Sequence, residues 1–325
     1  TEPTFPEIAR GDRIVSGWEA TDGQLPFQLS LRMVSPLGAV SSCGGTIISS
    51  GWGLTAAHCT AGRVTMVLRA GVVNLTLPYY IFETSSYYNH PNYNESIPAV
   101  VQPNDIGLLE FGRELTFNEL VQPIRLQRSA AKNADYDGVQ LTASGWGRTW
   151  TDGTAPENLN WVYLLGDSQQ RCFNQYPSIV QDSTICASAY NVSSQSTCQG
   201  DSGGPLTVID DDGYISQIGV TSFVSGTGCH TNFPAVPYHH AMVSSRCFPS
   251  PAAQAHCWGL NPRPSACEPT ALTTELSSLQ SNARQSSDAL VLVFILKVLC
   301  IAAMVMDMRY LLPPGERIVR SITFT

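Results

Sequence analysis

The sequence predicts an all-β sandwich or barrel for residues 1 to about 240, and three observations carry that prediction. Short runs such as "FQLSLRMV", "VTMVLRAGVV", "VQLTASGWG" and "SQIGVTSFV" are rich in Val, Ile, Leu, Thr and aromatics, the composition of strands. Gly, Pro, Asn and Asp punctuate them, as in "ATDGQLP", "DYDG" and "IDDDGY". Few stretches hold a helical period, and "DSQQRCFNQYPS" is the best candidate for a short helix. From about Ala241 the texture changes to "SSRCFPSPAAQAHCWGLNPRPSACEP", then to a Ser-rich stretch and an apolar run.

At 325 residues the chain exceeds what one hydrophobic core usually supports, so one large domain with an appendage, or two domains, is expected. Hydrophobic residues make up 43% and charged residues 14%, a balance that fits a folded globular protein and argues against disorder. A net charge of -8 leaves no basic footprint, which sets nucleic acid aside as a partner. Ten cysteines agree with the N-x-[ST] sequons at Asn74, Asn94 and Asn191 in pointing to an oxidising, secretory environment. No positive-then-apolar leader opens the sequence, which says nothing against secretion.

Three short motifs carry chemistry. "LTAAHC" places His58 beside Cys59 at the end of an apolar segment, "NDIGLLEF" places Asp105 before a strand-like run, and "GDSGGP" places Ser202 among small residues. A lone His is more often structural, and a lone Asp is most often a turn residue. Two glycines after a serine are different, because they let the backbone approach a substrate closely. In the order His, Asp, Ser, the three residue types make up the base, orienter and nucleophile of acyl transfer.

Through "RIVSGWEA", "CGGTIISSGWGLTAAHC", "NDIGLL", "ASGWGRT", "TCQGDSGGPL" and "GVTSFVS", residues 14 to about 238 resemble the chymotrypsin-like (S1) serine endopeptidases. The wording is most similar to digestive chymotrypsins and collagenolytic proteases of insects and crustaceans. The resemblance implies two six-stranded antiparallel barrels with the active site between them, followed here by an atypical C-terminal tail. It implies peptide-bond hydrolysis through an acyl-enzyme, with peptide or protein substrates and no metal or organic cofactor. His58 would be the base and then the acid, Asp105 would fix its tautomer, and Ser202 would attack. The N–H groups of Gly200 and Ser202 would form the oxyanion hole, worth about 3 kcal/mol per donor. Ser222 would hydrogen-bond the buried aspartate. The implied disulfides are Cys43 with Cys59, Cys172 with Cys186, and Cys198 with Cys229.

The same resemblance implies a switch. Arg13 immediately precedes Ile14, and cleavage there by an activating protease would free an α-amino group to pair with Asp201. Residues 1–13 would be a propeptide remnant, and Ser16 stands where the family has the first of two glycines. For specificity, Ser196, six before the nucleophile, would lie at the base of the primary pocket, with Val224 on its wall and Ala235 near its back. A neutral base offers no charge-assisted partner for Arg or Lys. It suits Phe, Tyr, Leu or Met, and the bulk of Val224 leaves elastase-like preference for smaller side chains as the alternative. Protein inhibitors are further expected partners, and a digestive role is expected. A catalytically silent homologue that acts by binding is the reading from another class.

The resemblance is expected to fail after Tyr238, with Pro237 an early departure from it. Residues 241–288 read as a Cys/Pro/Ser-rich linker whose Cys247, Cys257 and Cys267, like Cys300 beyond them, have no assigned partners. His256 beside Cys257 matches no strong metal spacing. The apolar segment 289–306 is 18 residues long, near the lower limit for a membrane span, and carries Lys297 at its middle. It reads as an anchor that would leave the protease outside, as part of a folded appendage, or as translated non-coding sequence ahead of a tail at 307–325. The protein is expected to be secreted, or membrane-anchored through that segment.

Overall fold

The structure is a computed structural model that describes residues 16–127, 134–223, 228–229 and 236–240. The chain divides into two units at Arg246, and every described residue belongs to the first. Arg13, Ile14, Val224, Ala235, and everything expected of the segments beyond residue 240, lie outside the described residues.

The all-β expectation holds. In chain order the elements are β1 (Trp18–Glu19), β2 (Gln28–Val34), β3 (Val40–Ser49), β4 (Trp52–Thr55), α1 (Ala57–Thr60), β5 (Thr65–Ala70), β6 (Tyr80–Thr84), β7 (Tyr87–Asn89) and β8 (Gly107–Glu110). Then follow β9 (Arg125–Leu126), β10 (Gln140–Gly145), β11 (Asn160–Asp167), α2 (Gln169–Gln175), β12 (Thr184–Ala189), β13 (Pro205–Ile209), β14 (Ile215–Thr221) and β15 (Val236–His240). The predicted helix is α2, begun by Ser168, whose Oγ accepts the Arg171 N–H at 3.4 Å.

One sheet runs β6-β5-β2-β3-β4-β8-β7. Its two edges are successive in the chain, separated by Ser85 and Ser86, so the strand leaving one edge enters the other and the sheet curls round on itself. The second sheet runs β1-β11-β10-β13-β14-β15-β12, and the further pairing of β11 with β12 closes the six strands β10 to β15 into a ring. In this second sheet closure removes the edges that β11 and β12 would otherwise present.

Alternation explains the filling. In "QLSLRMV", Leu29, Leu31 and Met33 point into the first barrel at the two-residue period of a strand and are at most 2% exposed. Gln28 and Ser30 point the other way and are buried too, because that face meets the second barrel; Ser144 Oγ donates to Gln28 Oε1 at 2.7 Å. The second barrel is filled by Leu141, Val162, Leu164, Ile185, Leu206 and Ile218. The predicted turn "IDDDGY" joins β13 to β14, with Gly213 at φ 79° donating its N–H to the Asp210 carbonyl at 2.8 Å, a backbone that glycine adopts without cost.

Pro237 is accommodated. It pairs with Cys186 on β12, while the ladder to β14 begins one residue later, at Tyr238. The missing N–H therefore falls where no second neighbour needs it.

Candidate active site

The seam between the barrels is built for close approach. The Gly44 N–H donates to the Ser202 carbonyl at 2.7 Å, and Thr55 Oγ1 donates to the Gly44 carbonyl at 2.8 Å. A Cβ on Gly203 would stand 2.2 Å from Thr55 Oγ1 and 2.5 Å from the Gly44 oxygen, and its φ is +79°. The Ser202 loop of the second barrel is thus pressed onto β3 and β4 of the first, and a side chain at Gly203 would part them.

His58 rides on α1, a single turn seated by the buried Ala57, Cys59 and Thr60. Its Nδ1 lies 2.7 Å from Asp105 Oδ2, and its backbone N–H donates to Oδ1 at 2.8 Å. Ser222 Oγ donates to the same Oδ2 at 2.6 Å. Asp105 is 4% exposed and is aimed by its neighbours: Asn104 takes the left-handed φ of 63° that Asn tolerates, and Ile106 N–H closes a tight turn onto the Asn104 carbonyl at 2.9 Å. An aspartate bound to Nδ1–H leaves Nε2 with its lone pair free to take a proton.

His58, Asp105 and Ser202 line one cleft of about 310 Å³, with Pro98 to Val101 on one wall and Thr221, Ser222 and Phe223 on another. Among the described residues no hydrogen bond joins Ser202 Oγ to His58 Nε2, which lies 3.6 Å from Cys59 Sγ; both residues line the cleft, and looser pairs are common in unliganded sites. Sequence reasoning did not find the Pro98–Val101 wall, whose signal was an apolar run bracketed by prolines in "IPAVVQP". It also missed Tyr176, whose ring packs edge-on against Phe223 with centroids 5.4 Å apart.

The backbone beside Ser202 is left with free donors. Gly200 has a φ of +107°, a conformation reserved for glycine, and the Gln199 carbonyl is engaged by Arg148 N–H at 2.9 Å. In a trans peptide the Gly200 N–H then points the opposite way. Neither it nor the Ser202 N–H donates to a protein acceptor among the described residues. Two such donors beside a serine can receive the negative oxygen of a tetrahedral adduct.

Asp201 is completely buried. Oδ1 accepts the Gly147 N–H at 2.7 Å and Oδ2 accepts the Cys198 N–H at 2.8 Å. Desolvation outweighs these bonds and pushes its pKa up to about 6, since no cation faces it among the described residues. A Cβ at Gly145 or Gly147 would lie 2.2 or 2.4 Å from its carboxylate, so the cage admits no side chain. Nearby, Ser16 adopts φ 62°, the left-handed backbone that a glycine would hold more cheaply, and its Oγ is 2.6 Å from Ser194 Oγ.

The bridges Cys43–Cys59, Cys172–Cys186 and Cys198–Cys229 are formed. Cys43, His58 and Cys59 bring ligand-type atoms within 4.8 Å of one another, but both sulfurs are consumed in the disulfide and cannot act as thiolate ligands. Ser196 is half-buried, with its hydroxyl on the Thr197 carbonyl at 2.8 Å, and is not among the described residues lining the cleft. Among the described residues no helix is long and apolar enough to cross a membrane.

Two barrel-like sheets with a histidine, an aspartate and a serine lining one cleft at their seam define the class of serine-type endopeptidases. The chain belongs to the trypsin family, whose model matches residues 14–245, a few residues beyond the expected end at Tyr238. It is 33% identical to a collagenase of Hypoderma lineatum over 69% of this chain and 82% of that protein. It is 35% identical to a chymotrypsin-like elastase family member 1 of Rattus norvegicus, over 70% and 84% of the two chains. Trypsin 5G1 of Aedes aegypti is 33% identical over 75% and 85%. A solved structure of HL collagenase superposes with a TM-score of 0.61, at 32% identity, covering 70% of this chain and 93% of its own.

Proposed function

We propose that the protein is a secreted, digestive serine endopeptidase made as a zymogen and selective for Phe, Tyr, Leu or Met at the cleaved position. The observation that carries the mechanism is the Asp105–His58 pair at 2.7 Å sharing a cleft with Ser202. Ser202 Oγ attacks the substrate carbonyl while His58 Nε2 takes its proton. The oxyanion is received by the Gly200 and Ser202 N–H groups, and His58 then protonates the leaving amine. Water, deprotonated by the same imidazole, releases the acyl group from Ser202.

Cleavage after Arg13 would free the Ile14 α-amino group as a cation for the buried Asp201, which has none facing it among the described residues. Extracellular disulfide chemistry supports secretion. The neutral Ser196 at the position of the pocket base supports apolar specificity. Elastase-like preference is the second reading, favoured by Val224 and by the 35% identity to a relative named as an elastase.

The test is hydrolysis of short chromogenic peptides ending in Phe, Leu, Ala or Arg by protein cleaved after Arg13, with Ser202→Ala as control. Faster turnover of Phe and Leu, abolished in the variant, is the expected result. Preference for Ala would move the assignment to the elastase-like pocket, and preference for Arg would overturn both.

A further inference from the structure

The three sequons of the chain have different surroundings. Asn74 is half-buried where the two barrels meet: its Nδ2 donates to Asn158 Oδ1 at 2.9 Å, and Asn158 Nδ2 donates to Glu19 Oε1 at 2.6 Å. The two asparagines also pair by backbone, and the Leu75 N–H donates to the Glu157 carbonyl at 2.9 Å. The atom that would carry a sugar is therefore held inside the seam. Asn191 is exposed, on a stretch that contributes no residue to the cleft.

Asn94 is exposed like Asn191, and its Oδ1 accepts the Ser96 N–H at 3.0 Å as Asn74 Oδ1 accepts the Thr76 N–H at 2.9 Å. Unlike that of Asn74, its Nδ2 makes no hydrogen bond among the described residues, and unlike Asn191 it leads into the cleft wall. The loop around it is clasped from within. Gln102 Oε1 accepts the Asn94 N–H and Gln102 Nε2 donates to the Asn94 carbonyl, each at 3.0 Å, with a further bond to the Ile97 carbonyl at 3.3 Å. Asn89 Nδ2 donates to Glu95 Oε1 at 3.0 Å, and Asn89 Oδ1 accepts from Thr60 Oγ1, on the helix that bears His58, at 2.6 Å. Four residues after Asn94 the same loop becomes the Pro98–Val101 wall of the cleft. Chain length alone keeps Asn94 within about 14 Å of Pro98.

We propose that Asn94 carries an N-linked glycan that stands on the rim of the cleft and screens bulky protein substrates and inhibitors from Ser202, while short peptides pass, and that Asn74 stays unmodified. The inference rests on the secreted endopeptidase reading. In the modification, a new bond joins Asn94 Nδ2 to the anomeric carbon of an oligosaccharide. The lipid diphosphate that carried the sugar in the secretory pathway leaves, and the amide gives up one proton. A glycan is bulky and hydrated, so on a clasped loop it occupies space that a globular substrate needs and an extended peptide does not.

The full chain would be secreted from insect cells behind a leader, and glycans removed enzymatically in heavy-oxygen water, which marks each formerly modified Asn as labelled Asp. The expected map has Asn94 marked and Asn74 bare. Protein cleaved after Arg13 would then be compared with Asn94→Gln and Ser96→Ala, both secreted at wild-type yield. Both variants are expected to hydrolyse a native globular protein several-fold faster, with turnover of a short chromogenic peptide unchanged. An unmarked Asn94, or a marked one whose removal leaves the globular substrate unaffected, would overturn the proposal, and a marked Asn74 would overturn its second half. If no form hydrolysed either substrate while Asn94 was marked, the endopeptidase reading and the screening role would fall and the modification site would stand.

Discussion

Asp201 sets the terms at the scale of single residues. Its pKa is raised to about 6 from 3.8 by complete burial, so between those values the folded uncleaved chain binds a proton that the unfolded chain has lost. Stability of that form therefore falls as pH rises from about 4 to about 6, by on the order of 3 kcal/mol. Urea unfolding of the uncleaved chain should show the fall, and Asp201→Asn should lack it; equal slopes would contradict the account. A cation supplied by the freed Ile14 terminus would reverse the sign. The neighbouring cage gives a second prediction. Gly147→Ala puts a Cβ 2.4 Å from Asp201 and should cost on the order of 2–3 kcal/mol in overpacking, whereas Gly138→Ala, with nothing within 4 Å of its Cβ, should lose only the roughly 1–2 kcal/mol of its positive φ. At the base, Asp105→Asn should lower kcat about 10⁴-fold with little change in fold, the magnitude of the Ser-His-Asp template.

At the scale of elements, α2 braces the cleft although it contributes no cleft residue. Tyr176 caps its C-terminus and packs against Phe223, while Cys172 within it is bridged to Cys186 on β12. Tyr176→Ala should free Phe223 and lower kcat/KM for extended peptides about three- to tenfold, the worth of an aromatic pair, with kcat nearly unchanged. An equal loss in kcat would place Tyr176 in the chemistry instead. The sequence made α2 legible as the best helical stretch, "DSQQRCFNQYPS", and the main strands through their β-rich runs between turn residues. α1 was not legible, because four residues make one turn and carry no period; the helix exists through the burial of Ala57, Cys59 and Thr60. His58, Asp105 and Ser202 could be picked out by motif, but their partners could not. Asn104's left-handed turn has no pattern in the sequence, and the Pro98–Val101 wall depends on how Gln102 clasps its own loop.

At the scale of the first unit, two curled sheets meet in a seam, and in the proposed mechanism catalysis belongs to that seam. The first barrel supplies His58 and Asp105, and the second supplies Ser202, Ser222 and the free N–H groups of Gly200 and Ser202. The resemblance implied a site between two barrels, while the fit of Gly203 against Thr55 and Gly44 could be read only in three dimensions. The most direct measurement of the central claim is fluorophosphonate labelling before and after cleavage at Arg13, with the modified residue mapped by mass spectrometry. The account predicts a phosphonylated Ser202, labelled far faster after cleavage and not at all in Ser202→Ala. Labelling at another residue, or none in the cleaved protein, would contradict it.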